Sequence, residues 1–322
     1  MVLSGPTAVG KTRVAIALAP LLGAEIVCAD SRTVYRHMDI GTAKPSPEDR
    51  RAVPHHLLDV VDPDEVLTLA QYQRLADRAI AEIRARGHLP LLVGGTGLYI
   101  RAVVDRIAIP RVPPNWELRT QLEEEERREG PGALHRRLQA VDPLAASRIH
   151  PRNLRRIIRA LEVYAATGTP ISAFQDQVRG GRWTPPPAGT ALLLALTLDR
   201  ARLYRRIDQR IDAQLSSGLV EEVRALLRAG YSPRLPALQA LGYKEIVPYL
   251  EGRTTLPEAV ALLRRNTRRY AKRQITWLRA DPRYRWVDVD DLPPEEVATL
   301  LRRIITDEEC GAPASHPLAG TT

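Results

Sequence analysis

The stretch GPTAVGKT, residues 5–12, has the residue types and spacing to cradle a phosphate. Gly5, Gly10, Lys11 and Thr12 meet the pattern G-x-x-x-x-G-K-[ST], with Pro6, Thr7, Ala8 and Val9 completing the loop. Glycines let backbone N–H groups turn inward, and a helix starting at such a loop adds the positive end of its dipole. Lys11 then reaches a terminal phosphate, and the Thr12 hydroxyl holds Mg²⁺. The plainer alternative is a glycine turn leading into a helix. Two further clusters carry chemistry. Asp30 and Ser31 follow an apolar run in AEIVCADSRTVY, and Gly94-Gly95-Thr96-Gly97 follow another in LLVGGTGLYI. Asp30 suits a Mg²⁺-holding carboxylate, a general base or the N-cap of a helix. The Gly-Thr-Gly run offers N–H donors and a hydroxyl, or a simple turn. No apolar run ends in Asp-Glu, the pair that would activate water against a γ-phosphate, so a motor-type ATPase is a poor fit.

These groups need elements that bring them to one place. Val2-Leu3, residues 24–28 and residues 89–93 read as strands of a buried parallel sheet, with helical patterns at 12–22 and 68–86 between them. A fourth core strand is expected at 191–198. Ligands of open parallel sheets bind beyond the strands' carboxyl ends, where the loop, Asp30 and Thr96 all fall. The fold class is therefore α/β, a P-loop NTPase-like parallel sheet core with an inserted helical domain. The first part of the core is 1–112. The insertion, 113–188, is polar and charge-rich and closes near Gly180-Gly181 and Pro185-Pro186-Pro187. The core resumes over 189–305, reads as helical after 199, and ends in basic helices; 306–322 reads as a disordered tail.

Composition narrows the setting. No apolar run reaches the ~18 residues that span a bilayer, and the N-terminus shows no signal-peptide pattern. Cys28 and Cys310 stand in no ligand spacing, and adjacent His55-His56 do not converge on one metal, so a cytoplasmic protein without disulfides or zinc is expected. A net charge of +9 favours a polyanionic partner. Of 47 basic residues only four are lysine: Lys11, Lys44, Lys244 and Lys272. In a chain so biased to arginine, a retained lysine marks a position that needs a compact ammonium. RRNTRRYAKRQITWLR, 264–279, joins seven basic residues to Tyr270 and Trp277. Phosphate contacts plus stacking hold unpaired RNA, though the same pattern also fits a core helix with a basic solvent face.

Taken in order, GPTAVGKT, ADSRTVYRHMDIGTAKP (29–45), PHHLLDVVDP (54–63) and GGTGLY (94–99) resemble the tRNA dimethylallyltransferases. So do RRIIRALEVYAATG (155–168), LYRRIDQRIDAQLSSGLVEEV (203–223), QALGYKEI (239–246) and RRYAKRQITWLR (268–279). The resemblance runs over about residues 1–290. It implies an enzyme that moves the dimethylallyl group of dimethylallyl diphosphate onto N6 of adenosine 37, beside the anticodon of a tRNA, releasing diphosphate. Its loop looks like those of nucleotide- and ATP-binding proteins but on this reading cradles a leaving group. The resemblance assigns Lys11, Thr12 with Mg²⁺, and Arg206 and Arg210 to the diphosphate, Asp30 to general base, and Thr96 to holding the reacting centre. Arg206 and Arg210 are spaced i, i+4, which equally fits a solvated basic helix face.

For the tRNA anticodon stem-loop the resemblance offers Asp30, Ser31, Arg32, Thr33, Thr96 and Arg119. It adds Arg155, Arg156, Ile157, Ile158 and Arg159, and then Gln239, Ala240, Leu241, Gly242, Tyr243 and Lys244. No membrane partner is implied, and a monomer is expected. Thr33 and Arg155 stand where the family usually has Gln. Competing readings are a dimethylallyltransferase acting on free AMP, ADP or ATP, a small-molecule P-loop kinase, and an RNA-binding module without catalysis. The first would need neither the insertion nor the basic helix.

Overall fold

A computed structural model describes residues 1–176, 191–290 and 292–309. The glycines and prolines expected to close the insertion at 180–187, Cys310 and the tail after it lie outside the described residues. Six strands form one sheet: β1 (Val2–Ser4), β2 (Ala24–Cys28), β3 (His55–His56), β4 (Leu89–Val93), β5 (Leu193–Thr197) and β6 (Tyr284–Asp288). Their order is β3-β2-β4-β1-β5-β6, and every neighbouring pair runs parallel. The inner strands are buried and mostly apolar, as parallel strands are, with Glu25 of β2 an exception that pairs with Arg86.

In chain order the helices begin with α1 (Lys11–Leu22), α2 (Pro47–Ala52), α3 (Leu69–Ala85) and α4 (Gly97–Val104). Then come α5 (Trp116–Glu129), α6 (Ala133–Val141), α7 (Pro143–Arg148), α8 (Leu154–Thr167) and α9 (Ile171–Asp176). The last five are α10 (Arg200–Ser216), α11 (Leu219–Arg228), α12 (Tyr243–Leu250), α13 (Leu256–Arg279) and α14 (Pro294–Glu309). The described residues form two compact units: one holds 1–67, 74–100, 191–290 and 292–309, and the other holds 68–73 and 101–176. The longer stretch of the second unit starts at Arg101 and includes the helices from α5 to α9. It has its own apolar core, built from Leu122, Leu134, Leu138, Ile157, Ile158 and Leu161.

Two sequence expectations need correction, and one short strand had no sequence signal. β6 interrupts the stretch read as helical from 199 to 305. It is an edge strand, with Tyr284 and Val287 buried while Arg285 and Asp288 are exposed, so it lacks the apolar run of the inner strands. β3 is only two residues long and is held by pairing with β2. α14 continues to Glu309, past the start of the expected tail, because Val297, Ala298, Leu301 and Ile305 form one buried face that packs on α1.

The segment after β2 is pinned by two ionic groups, one buried and one half-buried. The Lys44 ammonium, 1% exposed, donates to the Tyr35 carbonyl (2.5 Å), Asp39 (2.7 Å) and Asp59 (2.6 Å). Burial works to raise the Asp59 carboxyl, but hydrogen bonds from Lys44 and Arg50 win and hold it below the usual range. The Glu222 carboxylate on α11 accepts N–H bonds from Asp39, Ile40 and Gly41 (2.7–3.0 Å) and the hydroxyl of buried Tyr243 (2.6 Å). Removing it strands several donors at once, each worth roughly 1–3 kcal/mol if left unpaired. Glu222→Ala should therefore lower unfolding free energy by about 2–4 kcal/mol in urea titrations, and Glu222→Gln by clearly less, since its amide oxygen still accepts.

Candidate active site

The chain leaves β1 at Ser4 and enters the phosphate loop through Gly5. Gly5 has φ +146°, and a Cβ there would sit 2.7 Å from the Leu196 carbonyl of β5, so only glycine lets the loop lie against that strand. Gly10, at φ 111°, caps α1; no side chain bonds to the helix start and the first turn carries no acid, which leaves its N–H groups available to an anion. The Lys11 Nζ donates to the carbonyls of Gly5 (3.0 Å) and Pro6 (2.8 Å), closing the loop on itself. Burial pushes the Lys11 ammonium down to about 8; Asp30 opposes this and Arg210 adds to it. Arg206 donates to the Val9 carbonyl (3.1 Å) and so braces the loop from outside.

The Asp30 side of the site is built at the ends of β2 and β4. Asp30 Oδ1 accepts the Arg32 N–H (2.8 Å), an Asx turn in which no helix starts, so the helix-cap alternative is not realised. Thr96 Oγ1 accepts the Ser31 N–H (3.0 Å) and is hydrogen-bonded to Tyr270. Ser4 Oγ donates to the Gly94 carbonyl (2.9 Å), and the Thr96 N–H donates to the Ala29 carbonyl (3.1 Å), so the two loops share main-chain anchors. Thr33 is buried, its hydroxyl 3.5 Å from the Asp30 carbonyl. A short side chain folded onto the main chain occupies the position where the longer Gln was expected. Arg32 donates to the Pro236 carbonyl (2.7 Å).

One cavity of about 90 Å³ collects Thr7, Lys11, Thr12, Asp30, Thr33 and Arg210. Two cations thus face one carboxylate, an arrangement with positive charge in hand for an anion. Burial lowers the Arg210 pKa, an effect Asp30 opposes. Sequence reasoning missed Gln274, which lines the same wall from α13. Tyr270, read as either an RNA-stacking residue or part of a core helix, lines the cavity, its hydroxyl pushed up by burial. The signal was the 3.6-residue period: Tyr270 and Gln274 lie four apart, next to buried Ala271 and Leu278.

Other expected contacts fall elsewhere. Ile157 and Ile158 are interior residues of the helical unit, so their side chains are not available to RNA, while Arg155 and Arg156 on the same helix are exposed. Arg119 is engaged bidentately with Glu162 (2.8 Å twice), and Arg159 joins that carboxylate at 2.6 Å. Burial would raise Glu162, but these arginines and the Asn115 N–H prevail and hold it at about 2. In the α11–α12 connection and the first turn of α12, Ala240, Gly242 and Tyr243 are buried, leaving Gln239 and Lys244 exposed and Leu241 half-buried. On α13, Arg264 and Arg268 pair with Asp212 and Asp208 of α10, and Arg268 also lies 5.2 Å over the Tyr204 ring. Arg265, Arg269 and Lys272 are exposed along the groove of about 420 Å³ that these side chains line.

A phosphate loop facing a carboxylate across one cavity, at the carboxyl edge of a P-loop-type parallel sheet, defines a group-transfer enzyme of phosphorylated substrates. The chain belongs to the IPP transferase family, whose pattern it matches over residues 33–281. It is 52% identical to the tRNA dimethylallyltransferase of Symbiobacterium thermophilum, over 94% of each chain. To that of Thermomicrobium roseum it is 54% identical, over 89% of this chain and 85% of the relative. Among solved structures it resembles the full-length tRNA isopentenylpyrophosphate transferase of Bacillus halodurans, with 41% identity, TM-score 0.69, and 96% and 97% of the two chains covered. It also resembles a eukaryotic dimethylallyltransferase acting on tRNA, with 26% identity, TM-score 0.80, and 98% of this chain and 80% of that one covered.

The Lys11 environment makes anion binding pH-dependent. An anionic ligand stabilises the ammonium, so the pKa rises from about 8 in the free protein to a higher value in the complex. Affinity is then fully present below pH 8 and is lost above it, by up to about tenfold per pH unit. With inorganic diphosphate as probe, the affinity ratio of wild type to Lys11→Met should fall as pH rises from about 7 to about 9.5. A constant ratio would mean the amine does not meet the anion.

Proposed function

We infer that the chain transfers the dimethylallyl group of dimethylallyl diphosphate to N6 of adenosine 37 in tRNA, giving N6-dimethylallyladenosine and diphosphate. The observation that carries this reading is the shared cavity: anion-binding groups and a carboxylate that can take a proton line the same small space. As the allylic C–O bond breaks, positive charge grows on carbon and negative charge on the diphosphate. The loop N–H groups, Lys11 and Arg210 are preorganised for the second. The new C–N bond makes the N6 nitrogen cationic, and Asp30 accepts the proton it must lose. Thr96 orients the acceptor side through Ser31, next to Asp30. The adenosine must leave its stack to reach this depth.

The donors in the cavity suit Mg²⁺. Thr12 supplies a hydroxyl oxygen to the cavity, and Mg²⁺ bound there would complete its shell with phosphate oxygens and water. When bound it would neutralise charge developing on the diphosphate. The anticodon stem-loop would meet exposed cations of α13, Arg265, Arg269 and Lys272, with Arg155 and Arg156 of the helical unit as further candidates. Among the described residues no helix is long and apolar enough to cross a membrane. A monomeric, cytoplasmic enzyme is the simplest setting for this chemistry.

The reading is tested by incubating the protein with radiolabelled dimethylallyl diphosphate and either tRNA or AMP. Label should enter tRNA; label in AMP alone would favour the free-nucleotide reading. In the same assay Asp30→Asn should lose about 10²- to 10⁴-fold in turnover, with diphosphate affinity and the Mg²⁺ concentration for half-maximal rate little changed. Recovery of the variant's activity by added Mg²⁺ would make Asp30 a metal ligand instead.

Because Arg268 is held by Asp208 and Tyr204, the informative charge reversals are Arg265→Glu, Arg269→Glu and Lys272→Glu. Each should weaken tRNA binding and reduce the log–log salt slope by about 0.7–0.9 for every phosphate no longer neutralised. An unaltered slope in filter binding would remove this face from the interface.

A further inference from the structure

Gln274 is a buried amide in the middle of a basic helix, and both of its polar ends are used. Its Oε1 accepts the N–H of Thr7 at 2.8 Å, and its Nε2 donates to the carbonyl of Gly95 at 2.9 Å. Only this orientation of the amide satisfies both partners, because an N–H needs an acceptor and a carbonyl needs a donor. The approach is close: a Cβ at Gly95 would lie 2.2 Å from the amide nitrogen. Thr7 belongs to the phosphate loop. Gly95 precedes Thr96, which holds Ser31 next to Asp30. One side chain, 267 residues along the chain from Thr7 and 179 from Gly95, therefore ties the loop beyond β1 to the loop beyond β4.

We propose that Gln274 is a positioning residue that sets the distance between the leaving-group loop and the acceptor loop. The proposal rests on the transfer reading above, in which these loops serve the two ends of one displacement. Such a reaction requires the attacking nitrogen, the allylic carbon and the leaving oxygen in line, and a misplacement of about 1 Å can cost about 10²-fold in rate. Either loop alone can still bind its own ligand. What disappears without the crosspiece is their mutual register. Gln274 acts through the two loops it joins.

The amide can be replaced in two informative ways. Gln274→Ala removes both bonds; its turnover at saturating substrates should fall about 30- to 100-fold, while affinities for inorganic diphosphate and for tRNA each stay within about threefold. Gln274→Glu, when ionised, still accepts the Thr7 N–H but presents an oxygen to the Gly95 carbonyl. When protonated it is isosteric with the amide and can donate again. Burial raises a carboxyl at such a site, so the ratio of Gln274→Glu to wild-type turnover should climb as pH falls from about 8 to about 5.5. The ratio for Gln274→Ala should stay level over the same range. Wild-type turnover in Gln274→Ala, loss of binding as large as the loss of turnover, or a pH-independent Gln274→Glu ratio would each overturn the proposal. If circular dichroism shows Gln274→Ala unfolded, the pH ratio of Gln274→Glu decides. A wild-type chain that labels no tRNA would sink the transfer reading and this proposal together. An active wild type beside an indifferent Gln274→Ala would sink the proposal alone.

Discussion

A phosphate loop must keep several N–H groups turned inward for a ligand, so main-chain hydrogen bonds alone cannot hold it in shape. Its carbonyls and its ends have to be fixed by side chains, most of them from other parts of the chain. Here Gly5 is wedged against Leu196, the Lys11 ammonium binds the Gly5 and Pro6 carbonyls, Arg206 binds Val9, and Gln274 binds Thr7. Three of these four supports come from beyond residue 190. The N-terminal segment carries the motif, but the far half of the chain gives it its conformation. That explains how the core tolerates an interruption by a helical unit of its own: β5, α10 and α13 must return to the sheet for the loop to form at all.

The same dependence organises the acceptor side. The Asp30 turn is closed by the Arg32 N–H, the Thr96 hydroxyl reaches back to Ser31, and the Tyr270 hydroxyl meets Thr96. Lys11 and Arg210 are desolvated cations, and Asp30 favours the charge of both. The three groups therefore stabilise one another at a distance that leaves space between them.

Much of this was legible in the sequence because the signals were local. The loop motif, the β2 and β4 runs and the residues just beyond them lie within a few positions of each other, and buried parallel strands announce themselves as apolar runs. What was illegible depended on partners far away. β6 is an edge strand whose polar face hides its period, and β3 exists only through pairing with β2. Gln274 and Tyr270 read as part of a basic segment because the neighbouring arginines dominate composition, yet a helix gives its two faces different tasks. Ile157 and Ile158 were read by their membership of a motif. Side-chain type would have put them in a core, as the structure does.

The lysines show where reasoning from residue type holds and where it stops. Lys11 and Lys44 each place three or fewer short bonds from one nitrogen in a space bounded by carbonyls and carboxylates. A planar guanidinium, needing room for a fork of five donors, does not fit such a pocket. Lys244 and Lys272 are exposed, and nothing in their surroundings demands a compact ammonium. The scarcity of lysine is thus informative only when burial supplies a steric reason for it. Arg206 makes the complementary case: it reaches the Val9 carbonyl from α10, across 197 residues of sequence, where a long side chain with several donors is the better tool. Compact ammonium inside the loop and extended guanidinium outside it divide one task, holding main-chain carbonyls so that the N–H groups stay free for the ligand.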